Sequence, residues 1–324
     1  MSILQDCLGT VHLGAPQHYE NLSVYPVLGD GPGEPDYQLL DAALGAGTAR
    51  VTEISEAGSV PELRFVNDGD RSVLLVDGEE LTGAKQNRIL NLSVLAPPRQ
   101  TLTIPVSCVE AGRWRHTSAD FASAKRTHFA EARARKARRV SESLRGTGSR
   151  RSDQSEVWFD IEAKMARLNA MSDTGASDAM YRTHRVHIDE YLNAFAPIDR
   201  QLGALFAING KATGLELFDS PASLAALLPK LVESNALDAI DVLMHDPAST
   251  AEPDPAALLS TVAAAATDTF PGVGEGEDHR IDSPDLAGGA LVKDGRVVHL
   301  CAFRLARDPD DSPGMRRDRV RWHA

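Results

Sequence analysis

Residues 77–88 read DGEELTGAKQNR and place Asp77, Glu79, Glu80, Lys85, Gln86, Asn87 and Arg88 in one short stretch. Paired carboxylates of this kind bind ribose hydroxyls or work as acid and base. Lys85 and Arg88 match phosphate oxygens. Gly78 and Gly83 let the backbone turn or approach a ligand closely. The stretch separates two apolar runs, SVLLV at 72–76 and ILNLSVL at 89–95, which read as strands. A hairpin needs only about two to five linking residues. The twelve residues here predict a loop that presents its charges to a ligand. A solvated loop whose charges pair locally is the competing reading, and spacing alone does not choose between them.

A second cluster is SCVEAGRW at 107–114. Alternation along Thr101–Val109 puts Leu102, Ile104, Val106, Cys108 and Glu110 on one face. A carboxylate at that rim needs a partner, Arg113 or Lys85. Trp114 suits base stacking, although packing in the core is the expectation for a tryptophan. Cys108, on the core face, reads as an inert thiol. In SDQSEVW at 152–158, Asp153 is a helix N-cap with Glu156 three residues on, and Gln154 and Trp158 carry no assigned task.

The basic run EARARKARRV, with SRR beyond it, lies in a segment 125–151 that suggests nucleic-acid binding. Few aromatics interleave, and the basic side chains spread round a helix. An arm folding onto the acidic body is the stronger reading, and it weighs against nucleic acid. His184 and His187 share a helix face with Met180 and Tyr191. They lack two further convergent ligands, so no metal site is expected. GVGEGED at 272–278 has neither a convincing strand before it nor a phosphate-loop lysine after it, which excludes a dinucleotide or P-loop site. There is no GxSxG, HExxH or EF-hand pattern.

These residues are carried by an α+β chain. An N-terminal antiparallel β-rich sheet, sandwich or barrel-like, is expected from Leu22–Leu28, Ala49–Ser55, Glu62–Val66, Ser72–Val76, Ile89–Leu95 and Thr101–Val109. Pro105 puts the last of these at an edge or bulge. Tyr37–Leu44 reads as a short helix. Central helices are predicted at Phe121–Leu144, Glu156–Leu168 and Met180–Phe195. C-terminal mixed hairpins and helices complete the chain. The hairpins turn at Asn209-Gly210-Lys211 and Asp294-Gly295, and the helices are Pro221–Glu233, Ala236–His245 and Pro255–Thr267. The expected division is a β-rich part at 1–116, a helical segment with the basic arm at 117–200, an α+β part at 201–305 and a loose tail at 306–324.

The chain has 324 residues, enough for a sizeable core, and a net charge of −12. Residues 113–151 hold twelve Lys/Arg and three Asp/Glu, a local +9 that leaves −21 elsewhere. Such polarity lets acidic and basic surfaces pair, or draws an anion to the basic segment. The three cysteines, Cys7, Cys108 and Cys301, show no disulfide or metal spacing, so a reducing cytoplasm is the expectation. The start MSILQDCLGTV lacks signal-peptide character. No run nears the ~20 apolar residues of a membrane helix.

Four blocks occur in order: LLVDGEELTGAKQNRILNLSVLAPP, LTIPVSCVEAGRW, SDQSEVW and GALFAINGKATGLELFDSPASL. Together they resemble the bacterial family of ADP-ribosylglycohydrolase- and rhodanese-phosphatase-associated proteins over about residues 5–245 of this chain. The basic stretch 131–151 departs from the family's pattern. The resemblance implies a ligand class, ADP-ribose or an NAD-derived nucleotide, rather than a reaction. No cofactor or protein partner is specified. On that reading Glu79, Glu80 and Glu110 are the candidate catalytic carboxylates. Lys85, Arg88 and Arg113 hold a diphosphate, and Trp114 or Trp158 faces the adenine. Asp77, Gln86, Asn87, Asp153 and Gln154 complete the candidate ligand set. A non-enzymatic interaction protein is the alternative.

Overall fold

The computed structural model describes residues 2–246 and 254–305. The segment 306–324, expected to be a loose tail, lies outside the described residues. Six antiparallel strands close into a barrel. Its wall runs Gln100–Cys108, Glu62–Asn67, Ala49–Glu53, Phe121–Thr127, Glu79–Gly83 and Arg88–Leu90, and the last pairs back onto the first. Closure leaves no free edge. Pro105 sits where Gln100–Cys108 changes neighbours, paired with Glu62 before Val106 takes up Leu90, so its missing N–H falls at the handover.

The second body is a nine-stranded antiparallel sheet. Leu22–Leu28 lies beside Gln201–Ile208, then Lys211–Phe218, Arg296–Arg304, Leu286–Lys293, Glu277–Asp282 and Thr267–Pro271 follow. His12–Leu13 and Gln17–Tyr19 pair with Leu22–Leu28. Both expected hairpins form, and Asn209 and Asp294 hold the positive φ that such turns require, followed by Gly210 and Gly295. A small sheet of Val94–Ala96, Ser72–Leu75 and Tyr37–Leu39 completes the β structure. Helix Pro221–His245 packs on both Gln201–Ile208 and Phe121–Thr127. Helix Ala130–Thr147 packs on Leu286–Lys293 and Arg296–Arg304. The α+β architecture read from the sequence is the one observed.

Several elements differ from expectation, for identifiable reasons. Residues 77–88 are not one loop: Glu79–Gly83 is a barrel strand and Arg88 begins the next. Their polar residues are buried against partners, which hides the strand signal. The run Ile89–Leu95 divides at Asn91–Ser93, and its halves join different sheets. Phe121–Leu144 is a strand, Phe121–Thr127, before the helix that starts at Ala130. Lys125 interrupts that strand's pairing at a positive φ. Tyr37–Leu39 is a strand ahead of helix Leu40–Gly45, fixed by parallel pairing with Ser72–Leu74. The predicted helix Met180–Phe195 breaks at His184. Pro221–Glu233 and Ala236–His245 are one helix. The polar pair between them is absorbed: Ser234 Oγ donates to the His128 carbonyl and Asn235 to the Leu231 carbonyl. Helix Pro255–Ala263 stops early and strand Thr267–Pro271 follows. A strand therefore does precede GVGEGED, but another strand follows it, so the segment is a turn with no helix N-terminus behind it.

His128 joins the strand Phe121–Thr127 to helix Ala130–Thr147. It is fully buried, 4.4 Å from the Phe129 ring, and neither ring nitrogen has a hydrogen-bond partner among the described residues. Burial first, then the nearby charges of Lys136, Arg133 and Arg126, pushes its pKa down to about 3. The unfolded imidazole titrates near 6.5. Because the folded pKa is depressed, the unfolded state binds the proton first. This contribution is whole above pH ~6.5 and is lost as pH falls. The unfolding free energy is expected to drop by about 2 kcal/mol between pH 7 and 5 from this residue. Urea unfolding at the two pH values checks it: His128→Phe should lose most of that dependence.

Candidate functional site

The charged residues of 77–88 separate into two groups, one paired with elements outside this stretch and one gathered at an end of the barrel. Asp77, Glu79 and Glu80 face helices. The Asp77 carboxylate binds Arg133 Nε at 3.1 Å and Lys136 Nζ at 2.7 Å, and all three side chains are essentially inaccessible. Burial pushes the Asp77 pKa up, but Lys136 and Arg133 outweigh it and hold the carboxyl below its ordinary range. Gly78, at φ +79, makes room for this pairing. A Cβ there would lie 2.5 Å from Arg133 Nε. Glu79 accepts from Lys230 at 2.6 Å and from the Val76 N–H at 2.7 Å. Glu80 takes a fork from Arg126, which also reaches Asp178 and covers the Tyr181 ring.

The other group gathers at one end of the barrel. Registers place Val51 and Glu53, Leu63 and Phe65, Leu81, Arg88 and Leu90, and Ile104, Val106 and Cys108 on the inward face. Leu81, Leu90, Ile104, Val106, Phe65 and Val51 fill the barrel with a packed apolar core. Arg88 stands above them, at 0 % exposure. Its Nη1 donates to the Asn87 carbonyl at 3.3 Å. Its Nε and Nη2 have no hydrogen-bond partner among the described residues, and no carboxylate there lies within ion-pair distance. Burial lowers its pKa, opposed by the neighbouring Cys108 and Glu53. Glu53 sits across the mouth, nine-tenths buried, with Oε2 also unpartnered among the described residues. Burial raises the Cys108 thiol pKa despite Arg88, in keeping with an inert thiol.

The rim is built from the second motif. Arg113 and Glu110 form a buried ion pair at 2.7 Å. Burial raises the Glu110 pKa, but hydrogen bonds from Arg113, Thr174 and the Asn87 N–H bring it below its ordinary value. Arg113 also donates to the carbonyls of Gly83, Ala84 and Arg115 and to Asn87 Oδ1, so it fastens the turn 83–87. Gln86 donates to the Glu110 carbonyl at 2.9 Å. Gln154 exchanges two hydrogen bonds of 2.8 Å with the Cys108 backbone and docks helix Gln154–Arg167 on the barrel. Asp153 caps that helix as expected, accepting from the Ser155 and Glu156 N–H groups, while Glu156 turns to Arg139 instead of closing a box. Trp158 Nε1 is buried without a hydrogen-bond partner among the described residues, near Cys108.

Trp114 is not in the core. Half of it is exposed at the lip, with Lys85 Nζ 5.2 Å and the Arg88 guanidinium carbon 5.9 Å from its ring centre. Lys85 Nζ donates to the carbonyls of Glu56 and Ala57, and its backbone N–H donates to Glu53. The strap at 54–61 thus lies over the mouth. Gly58, at φ +78, lies so close that a Cβ there would be 3.1 Å from Lys85 and 3.3 Å from Trp114, with Glu53 in ordinary contact. Reading the sequence missed Glu53 and Gly58. Glu53 ends an otherwise unremarkable strand, and only closure of the barrel turns it toward Arg88.

The basic segment folds back on the body. Arg135, Arg138, Arg139 and Arg145 pair with Asp160, Asp282, Glu156 and Asp268 respectively. His184 Nε2 donates to the Leu168 carbonyl, and His187 is exposed 6.2 Å away. Among the described residues no cluster of His, Cys, Asp and Glu is arranged for a metal ion, and no helix is long and apolar enough to cross a membrane.

Fold and site together define an α+β barrel protein with a closed mouth that holds an uncompensated arginine beneath a tryptophan lip. A model of the ARG and Rhodanese-Phosphatase-superfamily-associated Protein domain matches residues 10–303, and the chain belongs to that family. No curated protein and no solved structure matches it.

The two groups predict opposite responses to charge removal. Asp77→Ala strands two buried cations and should cost about 3–5 kcal/mol. Arg88→Met removes a buried charge without an ion pair and should leave the ligand-free protein as stable or more stable, by about 1–4 kcal/mol. Denaturant midpoints of the two variants check both directions.

Proposed function

We propose that this protein binds an ADP-ribose-type or other NAD-derived nucleotide at the barrel mouth. The observation that carries the reading is Arg88, a buried guanidinium whose Nε and Nη2 face no acceptor among the described residues. Burying such a charge is costly, and functional sites are where folds retain it. Arg88 and Lys85 receive phosphate oxygens, and Trp114 offers its exposed face to the base. Arg113, Gln86, Asn87 and Gln154 hold the mouth in shape, with Asp153 capping the helix that carries Gln154 and Trp158. The family's name places its members in association with ARG, the ADP-ribosylglycohydrolases, which agrees with such a ligand.

The geometry favours binding over hydrolysis or transfer of ADP-ribose. Glu79, Glu80 and Glu110 are each tied to a cation, Lys230, Arg126 and Arg113, so a role as general acid or base requires breaking a buried pair. A non-enzymatic structural or protein-interaction role is the second reading, supported by those closed pairs. Nucleic-acid binding through 125–151 is disfavoured, because much of that segment's charge is spent within the chain.

Thermal unfolding against ADP-ribose, NAD and AMP tests the proposal. A nucleotide at a hundredfold excess over its Kd should stabilise the protein by about 2.7 kcal/mol. The shift should vanish in Arg88→Met and shrink in Trp114→Ala. No shift with any of the three, or an unchanged shift in Arg88→Met, overturns the site and favours the interaction role.

A further inference from the structure

We infer that the group received at Arg88 is a terminal phosphoryl group, so the ligand is a nucleotide that enters phosphate-first instead of lying across the mouth by an internal diphosphate. The inference rests on the barrel-mouth reading above and narrows its ligand class to NAD-derived mononucleotides, setting aside ADP-ribose itself, whose diphosphate is internal.

Three observations lead there. The first is which donors are left over. Nη1 is used by the Asn87 carbonyl, and the remaining Nε and Nη2 are adjacent on one edge of the guanidinium. That edge is the fork that takes two oxygens of one phosphoryl or carboxylate group. The second is the blind end. Leu81 lies beside Arg88 as its cross-strand partner, and beyond them Leu90, Ile104 and Val106 fill the barrel, each of the four no more than 2 % exposed. A group that descends to the fork has one way in and none through. An internal diphosphate carries a sugar on both sides and needs two exits, whereas a terminal group needs one. The third is the distance to the lip. The Trp114 ring centre is 5.9 Å from the guanidinium carbon. A single sugar joins phosphate to base in a mononucleotide, which suits a stacking ring this near the fork.

Charge separates phosphoryl from carboxylate. Lys85 lies beside the same indole as Arg88, and its ammonium is bound to two neutral carbonyls, Glu56 and Ala57, with no carboxylate in ion-pair distance among the described residues. Two cations suit a group carrying between one and two negative charges. Glu53 Oε2, across the mouth, is an acceptor without a donor among the described residues. It suits a phosphoryl group that keeps one proton, a form that gains weight as pH falls toward the second phosphate ionisation near pH 6. Entry requires the strap at 54–61 to lift, and Lys85 then exchanges its two carbonyls for the phosphoryl oxygens.

Titration calorimetry of the full chain with AMP, inorganic phosphate, adenosine and ADP-ribose tests this. AMP is expected to bind at least tenfold more tightly than ADP-ribose, inorganic phosphate and adenosine. Arg88→Met should abolish AMP binding. Arg88→Lys keeps the charge without the fork and should weaken it at least tenfold, with folding of both variants checked by their unfolding midpoints. ADP-ribose binding as tightly as AMP, with the same dependence on Arg88, overturns the terminal-group inference and leaves the mouth as a nucleotide site. Inorganic phosphate binding as tightly as AMP overturns the nucleotide part of the inference. Absence of binding by all four, or binding indifferent to Arg88, removes the mouth as a ligand site altogether.

Discussion

Asp77 is where the separate parts of this molecule are held together. Its carboxylate accepts from Arg133 and Lys136 on helix Ala130–Thr147. Arg133 lies 2.6 Å from Glu216 Oε1, an ion pair without hydrogen-bond alignment, and so reaches the nine-stranded sheet. Glu216 accepts from His299 Nε2, His299 Nδ1 accepts from Ser93 Oγ, and Ser93 Oγ accepts from the Asp77 N–H. The ring of contacts closes on itself and joins barrel, helix and sheet. Carboxylates and cations nearly balance within it, which is how a fully buried polar cluster becomes tolerable. Apolar packing alone is non-directional and leaves such bodies free to slide. A closed polar ring fixes one arrangement.

Against that background Arg88 is an exception. Asp77, Glu79, Glu80 and Glu110 each meet a cation, and the partners come from distant elements: Arg133, Lys230, Arg126 and the nearer Arg113. A fold able to place four buried pairs so closely leaves Arg88, among the described residues, with a guanidinium fork that meets neither a hydrogen-bond acceptor nor a carboxylate, at an end of the barrel where an indole lies half in solvent. The contrast between satisfied and unsatisfied charge, more than the number of charges, is what marks the site.

The sequence disclosed the fold class because its clearest signals are local. Asn209-Gly210 and Asp294-Gly295 specify tight turns, Asp153 specifies a helix start, and Leu22–Leu28 is an apolar run of strand length. What stayed hidden depends on long-range contact. Glu79–Gly83 reads as a loop because two of its residues are glutamates, yet both are buried beside Lys230 and Arg126, far along the chain. Phe121–Thr127 reads as helix because its Ala, Ser and Lys carry little strand preference, and only its neighbours in the barrel wall make it one. The cluster Lys85–Arg88, Glu110, Arg113, Trp114 was legible as a set of types at close spacing. Its separation from Asp77, Glu79 and Glu80, and the arrival of Glu53, follow from the turns on either side of Glu79–Gly83 and from closure of the wall, which no local spacing records.

The pairing of Leu22–Leu28 with Gln201–Ile208 has a further consequence for how the chain comes to be folded at all. Leu22 meets Ile208 and Val27 meets Gly203, across most of the chain. During synthesis the first of these strands is made long before its main neighbour, while the barrel strands between them can already find one another. Until the later hairpin arrives, one side of an apolar ribbon that includes Leu22, Val24 and Val27 stays open to solvent and to other chains. Closing so long a loop is slow, so the window is wide. This protein should therefore be most exposed to misassembly and to helpers of folding in that interval, and a chain ending before Gln201 would keep that ribbon uncovered.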